Sequence, residues 1–163
     1  MKNNIILRIV LSVILVASSM LIILRFSLQD GVKSGEISSD VIKDVLDVVI
    51  GEENVTEEMV VSAQIPVRKL AHFGVYMLLG FTLINLFYLI YSFINYKLFF
   101  AFPLLIGVLY SIFDEHVIQR ITSGRAPSWL DVLIDSVGLI IGICLYILLI
   151  IVTNRIKNNR QRI

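Results

Sequence analysis

The chain has 163 residues, of which 57% are hydrophobic and 17% are charged, and its mean hydropathy is +0.86. This is more apolar surface than one small soluble core can bury, so the composition indicates an integral membrane protein. A net charge of +1 provides no basic surface for a nucleic acid, and no nucleic-acid-binding motif occurs. The single cysteine, Cys144, excludes a disulfide or a cysteine zinc site within one chain.

Four apolar stretches are long enough to cross a membrane as helices, because a hydrocarbon core of about 30 Å needs roughly 20 helical residues. They run from about residue 6 to 25, from 70 to 94, from 98 to 119 and from 129 to 152. We therefore predict an all-α integral membrane bundle of about four transmembrane helices.

The first stretch has two interpretations. Its one charged side chain before residue 25 is Arg8, which is long enough to reach the membrane surface. Lys2 and Arg8, followed by small residues at 17–19, are also compatible with a secretory signal. The apolar run is longer than in most signals and no A-x-A site follows it, which favours a retained helix.

The region 26–69 is polar and acidic, and we expect it to be a short, partly helical extracytoplasmic loop. Apolar residues at helical spacing predict an amphipathic helix over residues 37–50. Thr56, followed by Glu57 and Glu58, predicts a second helix start. Two roles are open for the first of these helices: it is a lid over a membrane site, or it rests on the bilayer or on the other helices.

The orientation follows from the basic tail. Lysine and arginine are divided evenly between the two sides of a four-helix topology, but the tail after Val152 has four basic residues and no acid. The 26–69 region pairs its bases with nine acids. We therefore predict cytoplasmic N and C termini. The chain then divides into a first transmembrane helix (1–25), an acidic outer loop (26–69), and three further helices with a basic cytoplasmic tail (70–163).

Ionisable side chains are costly within or beside a membrane-spanning helix, so a group of them predicts a functional site. Three groups occur, at the start of the second predicted helix, at the end of the third and at the start of the fourth. These ends meet at one membrane face. The candidate site residues are Lys69, His72, Tyr76, Asp114, Glu115, Gln119, Arg125, Asp131 and Asp135.

Structural explanations of these residues stay open. Basic and aromatic residues near a helix end can be ordinary membrane-interface anchors. The four carboxylates can also form a salt-bridge knot that holds three helices together, with Lys69, His72 and Arg125 as partners. Gly138 and Gly142 indicate close helix packing.

The residue types admit other chemistry, but their spacing does not favour it. The histidines and carboxylates are suitable metal ligands, yet no known ligand spacing occurs and nearby basic side chains oppose a cation. We therefore predict no metal and no cofactor. Ser111, Ser128 and Ser136 are candidate nucleophiles by residue type alone, because no Gly-x-Ser-x-Gly motif is present.

Three blocks of sequence resemble the VanZ-like membrane proteins of bacteria. Residues 68–80 are similar to the family's R-K-x-x-H-F-x-x-Y-x-x-L-G. Residues 114–125 resemble its D-E-x-x-Q…G-R, and residues 131–142 resemble its D-V-x-x-[DN]-x-x-G-x-x-x-G. The stretch 26–31, F-S-L-Q-D-G, is similar to one that is common after the family's first helix.

The second block departs from the family pattern. The family usually reads D-E-x-H-Q with an arginine ten places after the aspartate, whereas Arg125 lies eleven after Asp114 and the histidine is His116, with Gln119 displaced. One residue is therefore inserted, and we expect a bulge near the helix end to absorb it.

The resemblance implies a plasma-membrane protein whose site faces the outer, cell-wall side. It also implies a link to tolerance of glycopeptide and lipoglycopeptide antibiotics such as teicoplanin, but it supplies no reaction. The expected partners are membrane lipids and a lipid-linked or amphiphilic ligand at the outer leaflet, with no nucleic acid.

Three functions remain open at this point. The first is an envelope protein that engages an amphiphile or a wall precursor. The second is a membrane enzyme acting on a lipid-linked or lipophilic substrate, with Glu115 or Asp135 as general acid or base and Lys69 or Arg125 holding an anionic head group. The third is a non-catalytic scaffold.

Overall fold

The computed structural model describes residues 2–94 and 101–161, and all regular structure within these ranges is helical, as predicted. The helices are α1 (Lys2–Ser27), α2 (Gly31–Ile50), α3 (Glu57–Ile94), α4 (Phe102–Phe113), α5 (Gln119–Ile121) and α6 (Trp129–Arg160). A 3-10 turn, Glu52–Asn54, connects α2 to α3, and a π turn, Asp114–Ile118, joins α4 to α5.

In the described part of the chain, three helices are long and apolar enough to cross a membrane. They correspond to the first, second and fourth predicted stretches and comprise Asn4–Ser27, Glu57–Tyr91 and Trp129–Arg160. The third predicted stretch, 98–119, contains the 12-residue α4 and then the π turn. Its first residues, 98–100, lie outside the described residues.

Helix α3 begins before the predicted membrane stretch. It has 38 residues, about 57 Å at the rise of an α-helix, which is roughly twice the thickness of a hydrocarbon core. Its start agrees with the predicted capping signal, because the Thr56 hydroxyl accepts a 3.3 Å hydrogen bond from the Met59 amide. The 26–69 region therefore consists mostly of α2, which begins at Gly31 rather than at residue 37, and of the first turns of α3.

Glycines bring α3 and α6 into close contact. A Cβ atom at Gly138 would overlap the Phe73 carbonyl oxygen, and one at Gly142 would overlap the Met77 carbonyl oxygen. The close packing predicted from this glycine pair is therefore confirmed, since only hydrogen atoms fit between the two backbones.

Buried apolar side chains from four helices form the core beside this contact. Ile23 of α1, Tyr76 and Leu79 of α3 and Leu139 of α6 are fully buried, and Ile106 of α4 packs against them. Much of the outer surface of α1 and α6 is apolar and exposed, as a surface in contact with lipid would be.

Hydrogen bonds between polar side chains also join the long helices. The Asn85 amide of α3 donates to the Ser12 hydroxyl of α1, and the Tyr146 hydroxyl of α6 donates to the Asn85 carbonyl oxygen, each at 2.7 Å. Such bonds hold transmembrane helices together where water does not compete. They fix the bundle at a distance from the candidate site residues.

Candidate functional site

The π turn places three polar side chains of one segment in the protein interior. Its backbone is closed by a hydrogen bond from the Gln119 amide to the Asp114 carbonyl, and Asp114, Glu115 and Gln119 are 0%, 1% and 5% exposed. A π turn contains one more residue than a turn of α-helix, so side chains four and five residues apart lie on the same face. The bulge expected from the inserted residue is therefore confirmed.

The Asp114 carboxylate lies against the end of α1. The Ser27 hydroxyl donates a 2.7 Å hydrogen bond to Asp114 Oδ2, and the Gln119 amide nitrogen lies 3.5 Å from the same oxygen. Asp114 Oδ1 is also buried and has no hydrogen-bond partner in the described part of the chain. The donors nearest to the Asp114 carboxyl group are therefore neutral.

The Glu115 carboxylate connects the π turn to the start of α6. Glu115 Oε1 accepts a 2.8 Å hydrogen bond from the Ser128 backbone amide, and Oε2 accepts one from the Gln119 side-chain amide. The neighbouring His116 lies outside this pair of bonds, with its ring edge-on to Trp129 at a centroid distance of 4.1 Å.

Arg125 joins the loop before α6 to the connection between α1 and α2. Its Nε donates to the Gln29 carbonyl at 3.0 Å, and its Nη2 donates to the Phe26 carbonyl at 2.7 Å and lies 3.4 Å from the Ser34 hydroxyl. Its Nη1 donates to the Gln119 side-chain carbonyl at 3.0 Å. Arg125 is therefore a clamp that bonds neutral oxygens on two separate segments.

The electrostatic surroundings of Arg125 are mixed. Burial lowers the pKa of its guanidinium, and the positive charge of Arg68 lowers it further, whereas Asp114, Glu115 and Asp30 oppose that change. A guanidinium remains protonated in proteins despite such a shift. Its charge therefore adds to that of Arg68 in this part of the molecule.

Two glycines allow the same segments to touch. The Gly31 amide donates a 3.0 Å hydrogen bond to the Ser123 carbonyl, and a Cβ atom at Gly31 would contact the backbone of Gly124 at less than van der Waals distance. Gly124 has a φ of +73°, a left-handed conformation that favours glycine. The loop can therefore place Arg125 on the α1–α2 connection.

A second carboxylate, Asp135, lies deeper along α6. The Ser111 hydroxyl donates a 2.9 Å hydrogen bond to Asp135 Oδ2, and both residues are almost completely buried. Asp135 Oδ1 and the Tyr76 hydroxyl are buried without hydrogen-bond partners among the described residues. Tyr76 lies near both Asp114 and Asp135. These side chains form a polar interior between α3, α4 and α6.

The remaining candidates form a more accessible rim. Lys69 of α3 and Asp131 of α6 form an ion pair, with side chains 34% and 30% exposed. His72 lies one turn after Lys69 and is half-buried. A cavity of about 40 Å³, large enough for water, is lined by Arg68, Lys69, His72, Asp131 and Asp135, among others.

All nine candidate residues therefore lie at one end of the helices, in three connected groups. These are the π-turn network (Asp114, Glu115, Gln119 and Arg125), the polar interior (Tyr76 and Asp135) and the rim (Lys69, His72 and Asp131). The buried carboxylates depend on hydroxyl and amide donors more than on cations. Among these nine residues, Lys69 and Asp131 form the one ion pair, so the hypothesis of an extended salt-bridge knot does not describe their contacts. Within residues 2–94 and 101–161, no three potential ligands are arranged to hold a metal ion.

Sequence reasoning missed two hydroxyl donors. The motifs and charges of the sequence indicate no role for Ser27, although it lies in the 26–31 stretch that resembles the family and bonds Asp114. Residue type alone makes Ser111 a candidate nucleophile, whereas its hydroxyl donates to Asp135. A search for hydroxyl residues at helical spacing before the carboxylates would have found Ser111, three residues before Asp114.

Comparison with known proteins identifies the family. No curated protein and no solved structure matches the chain. The family model VanZ/LLP1 matches residues 9–151, which is most of the 163 residues and includes every candidate site residue. With its long apolar helices, the chain belongs to the VanZ-like family of membrane proteins.

Proposed function

We propose that this protein acts at the outer face of the bacterial plasma membrane, where its polar cluster engages an amphiphile or a wall precursor. In this role it lowers susceptibility to glycopeptide and lipoglycopeptide antibiotics such as teicoplanin. The observation that supports this most is the burial of Asp114, Glu115 and Asp135 at no more than 1% exposure on neutral donors. In the described part of the chain no cation bonds these three carboxyl groups directly, and burying them in this way is unfavourable, so a purely structural role is a poor explanation for them.

The proposal includes a fourth membrane crossing. Helix α4, the π turn and α5 form a helical path over residues 102–121, about the length that crosses a hydrocarbon core. The hydrogen bonds from Arg125 to Phe26 and Gln29 support it, because they hold the loop after α5 beside the end of α1. A chain that crosses in α3 must cross again before it can return to that contact.

The orientation rests on the sequence. The basic tail lies at the far end of α6 from Asp131 and Asp135, and basic segments stay on the cytoplasmic side. Both termini are then cytoplasmic, and the carboxylate cluster faces outward. An outward cluster is placed where antibiotics that act on the cell wall encounter the membrane.

The test is antibiotic susceptibility in a sensitive Gram-positive host. We expect the parent protein to raise the inhibitory concentration of teicoplanin and the Asp114→Asn/Asp135→Asn variant to lose this protection at a matched membrane level. A Glu52→Gln/Glu53→Gln variant is the matched control, because it removes two carboxylates from an exposed turn of the same region. If the Asp114/Asp135 variant protects as well as the parent, the cluster is not the agent.

The second candidate function is a membrane enzyme acting on a lipid-linked or lipophilic substrate. The specific observation is that Asp135, which has one oxygen without a hydrogen-bond partner among the described residues, lines the same small cavity as Lys69 and His72. Asp135 is then the general acid or base, and Lys69 holds an anionic head group. Glu115 and Arg125 fit these roles less well, because both are bonded to neighbouring backbone groups. Turnover by purified protein that is unchanged by Asp135→Asn would exclude this assignment.

A further inference from the structure

A larger, mainly apolar cavity lies next to the 40 Å³ cavity and shares Arg68 and His72 with it. It has a volume of about 290 Å³ and is bounded by the end of α1, by α2 and by α3. Its apolar lining consists of Phe26, Ile37, Val41, Val67 and Ala71. This volume is near the lower end of small-molecule pockets, about 300–1,000 Å³, and suits one hydrocarbon chain better than a whole two-chain lipid.

The cations at this cavity distinguish it from a simple packing defect. Arg68 and Arg125 both line it, and His72 lies beside them. Arg125 bonds neutral oxygens, and Arg68 forms no hydrogen bond or ion pair with any residue in 2–94 or 101–161. Two arginines therefore line a mainly apolar space, and among the described residues neither is bonded to a carboxylate, so an anion there would interact favourably with both.

The position of Arg68 relates this cavity to the candidate site. Arg68 and His72 line both the apolar cavity and the 40 Å³ cavity of Lys69 and Asp135. A ligand with its anionic head at Arg68 would place its chain against Val41 and Val67 and its head beside the polar cavity.

We propose that the apolar cavity binds a single-chain amphiphile with a phosphate head, which Arg68 holds through its guanidinium. This proposal rests on the proposed function, since it names the chemical class of the ligand that the outer-face cluster engages. Arginine suits this role because its planar fork matches phosphate oxygens. Helix α2 forms the outer wall of the cavity and is linked to α3 by a 2.7 Å hydrogen bond from Gln64 to Ser39.

The test uses the full chain in phosphatidylcholine nanodiscs, with binding followed by native mass spectrometry. Dodecyl phosphate is the probe, and dodecanol and inorganic phosphate are its two halves. We expect saturable 1:1 binding of dodecyl phosphate and much weaker binding of either half. Arg68→Gln should weaken binding by about 10- to 100-fold, the equivalent of one charged hydrogen-bond contact. Arg120→Gln is the matched control, because Arg120 is exposed and does not line the cavity.

A second pair of variants tests the apolar part without changing charge. Val67→Phe fills the cavity and should weaken dodecyl phosphate binding, whereas Leu70→Phe, on an exposed face of the same helix, should not. If Arg68→Gln does not fold, the comparison of Val67→Phe with Leu70→Phe still tests the proposal.

Several outcomes would overturn the proposal. They are equal weakening by Arg68→Gln and Arg120→Gln, inorganic phosphate binding as tight as that of dodecyl phosphate, or no effect of Val67→Phe. A protein that protects cells from teicoplanin but does not bind dodecyl phosphate would overturn this proposal alone. A protein that binds it without protecting cells would overturn the proposed function and leave the binding site.

Discussion

The Ser27 hydroxyl donates a 2.7 Å hydrogen bond to the Asp114 carboxylate, although the two residues are 87 positions apart in the sequence. Both residues are fully buried. The bond joins the end of α1 to the π turn, and it supplies one of the few donors available to a carboxylate in this apolar interior.

Removing this donor should destabilise the fold. We expect Ser27→Ala to lower the free energy of unfolding by about 1–3 kcal/mol, because Asp114 Oδ2 loses a hydrogen-bond donor while it stays buried. Thermal unfolding in detergent measures the change. Ser62→Ala is the control, since its hydroxyl is exposed and bonds the Met59 carbonyl in its own helix. Equal stability of the two variants would show that Asp114 does not depend on Ser27.

Variants of the Lys69–Asp131 ion pair can distinguish the scaffold hypothesis from the functional hypotheses. Both side chains are about one-third exposed, and such pairs contribute about 0–1 kcal/mol. A double-mutant cycle with Lys69→Met and Asp131→Asn should therefore give a coupling energy below about 1 kcal/mol. Loss of teicoplanin protection by folded single variants would agree with a functional rim. A coupling energy of several kcal/mol, with misfolded single variants, would favour the scaffold.

The Arg125 clamp should be specific for arginine. Arg125→Lys keeps the charge but loses the fork that reaches Phe26, Gln29 and Gln119 together. We expect it to lower the free energy of unfolding by about 2 kcal/mol or more, since several charged hydrogen bonds change at once. Hydrogen exchange should rise in the α1–α2 connection and in the loop before α6. Arg120→Lys, at an exposed position, should leave exchange unchanged, and a rise there too would show that the effect is not the clamp.

The glycine contact between α3 and α6 gives a prediction with a close control. Gly138→Ala places a methyl group on the Phe73 carbonyl, so we expect a loss of about 1–3 kcal/mol from overpacking. Gly74→Ala is the control, because a Cβ atom there would meet nothing within 4 Å and alanine favours a helix. Thermal unfolding should separate the two variants in opposite directions. A neutral Gly138→Ala would mean that the helices can move apart without loss.

Parts of this architecture can be predicted from the sequence. The features that cannot be predicted escape for different physical reasons. Apolar length identifies α1, α3 and α6, but it does not give the start of α3, because polar and charged residues such as Gln64 and Arg68 interrupt the apolar residues after Glu58. The inserted residue after Asp114 predicts the π turn, since an extra residue in a helix must be absorbed locally. Spacing along single helices also places Lys69 and His72 on one face.

The partners of the buried carboxylates could not be derived in the same way. Ser27 lies on a different helix from Asp114, and a neutral hydroxyl carries no signal in a charge pattern. Oppositely charged residues such as Lys69 and Arg125 are the obvious partners in a sequence, yet Arg125 bonds carbonyl oxygens instead. The clamp depends on how two loops meet, and that contact is long-range.

Cysteine labelling can test the fourth membrane crossing, because it shows on which side of the membrane each labelled position lies. In a background where Cys144→Ser removes the natural thiol, Glu53→Cys and Asn158→Cys report on the α2–α3 connection and on the tail. Three crossings lie between them if α4 spans the membrane, so a membrane-impermeant maleimide should label only Glu53→Cys in intact cells. Without the α4 crossing, two crossings separate them and both positions should react from the same side. Ser123→Cys, exposed in the loop before α6, provides an independent check. It should label with Glu53→Cys, because the Ser123 carbonyl accepts a hydrogen bond from Gly31 at the start of α2, and the proposed topology has no membrane crossing between Gly31 and Glu53. Labelling of Asn158→Cys with Glu53→Cys would leave three crossings and overturn the proposed topology. Labelling of Asn158→Cys alone would keep four crossings and place the carboxylate cluster on the cytoplasmic side, away from wall precursors.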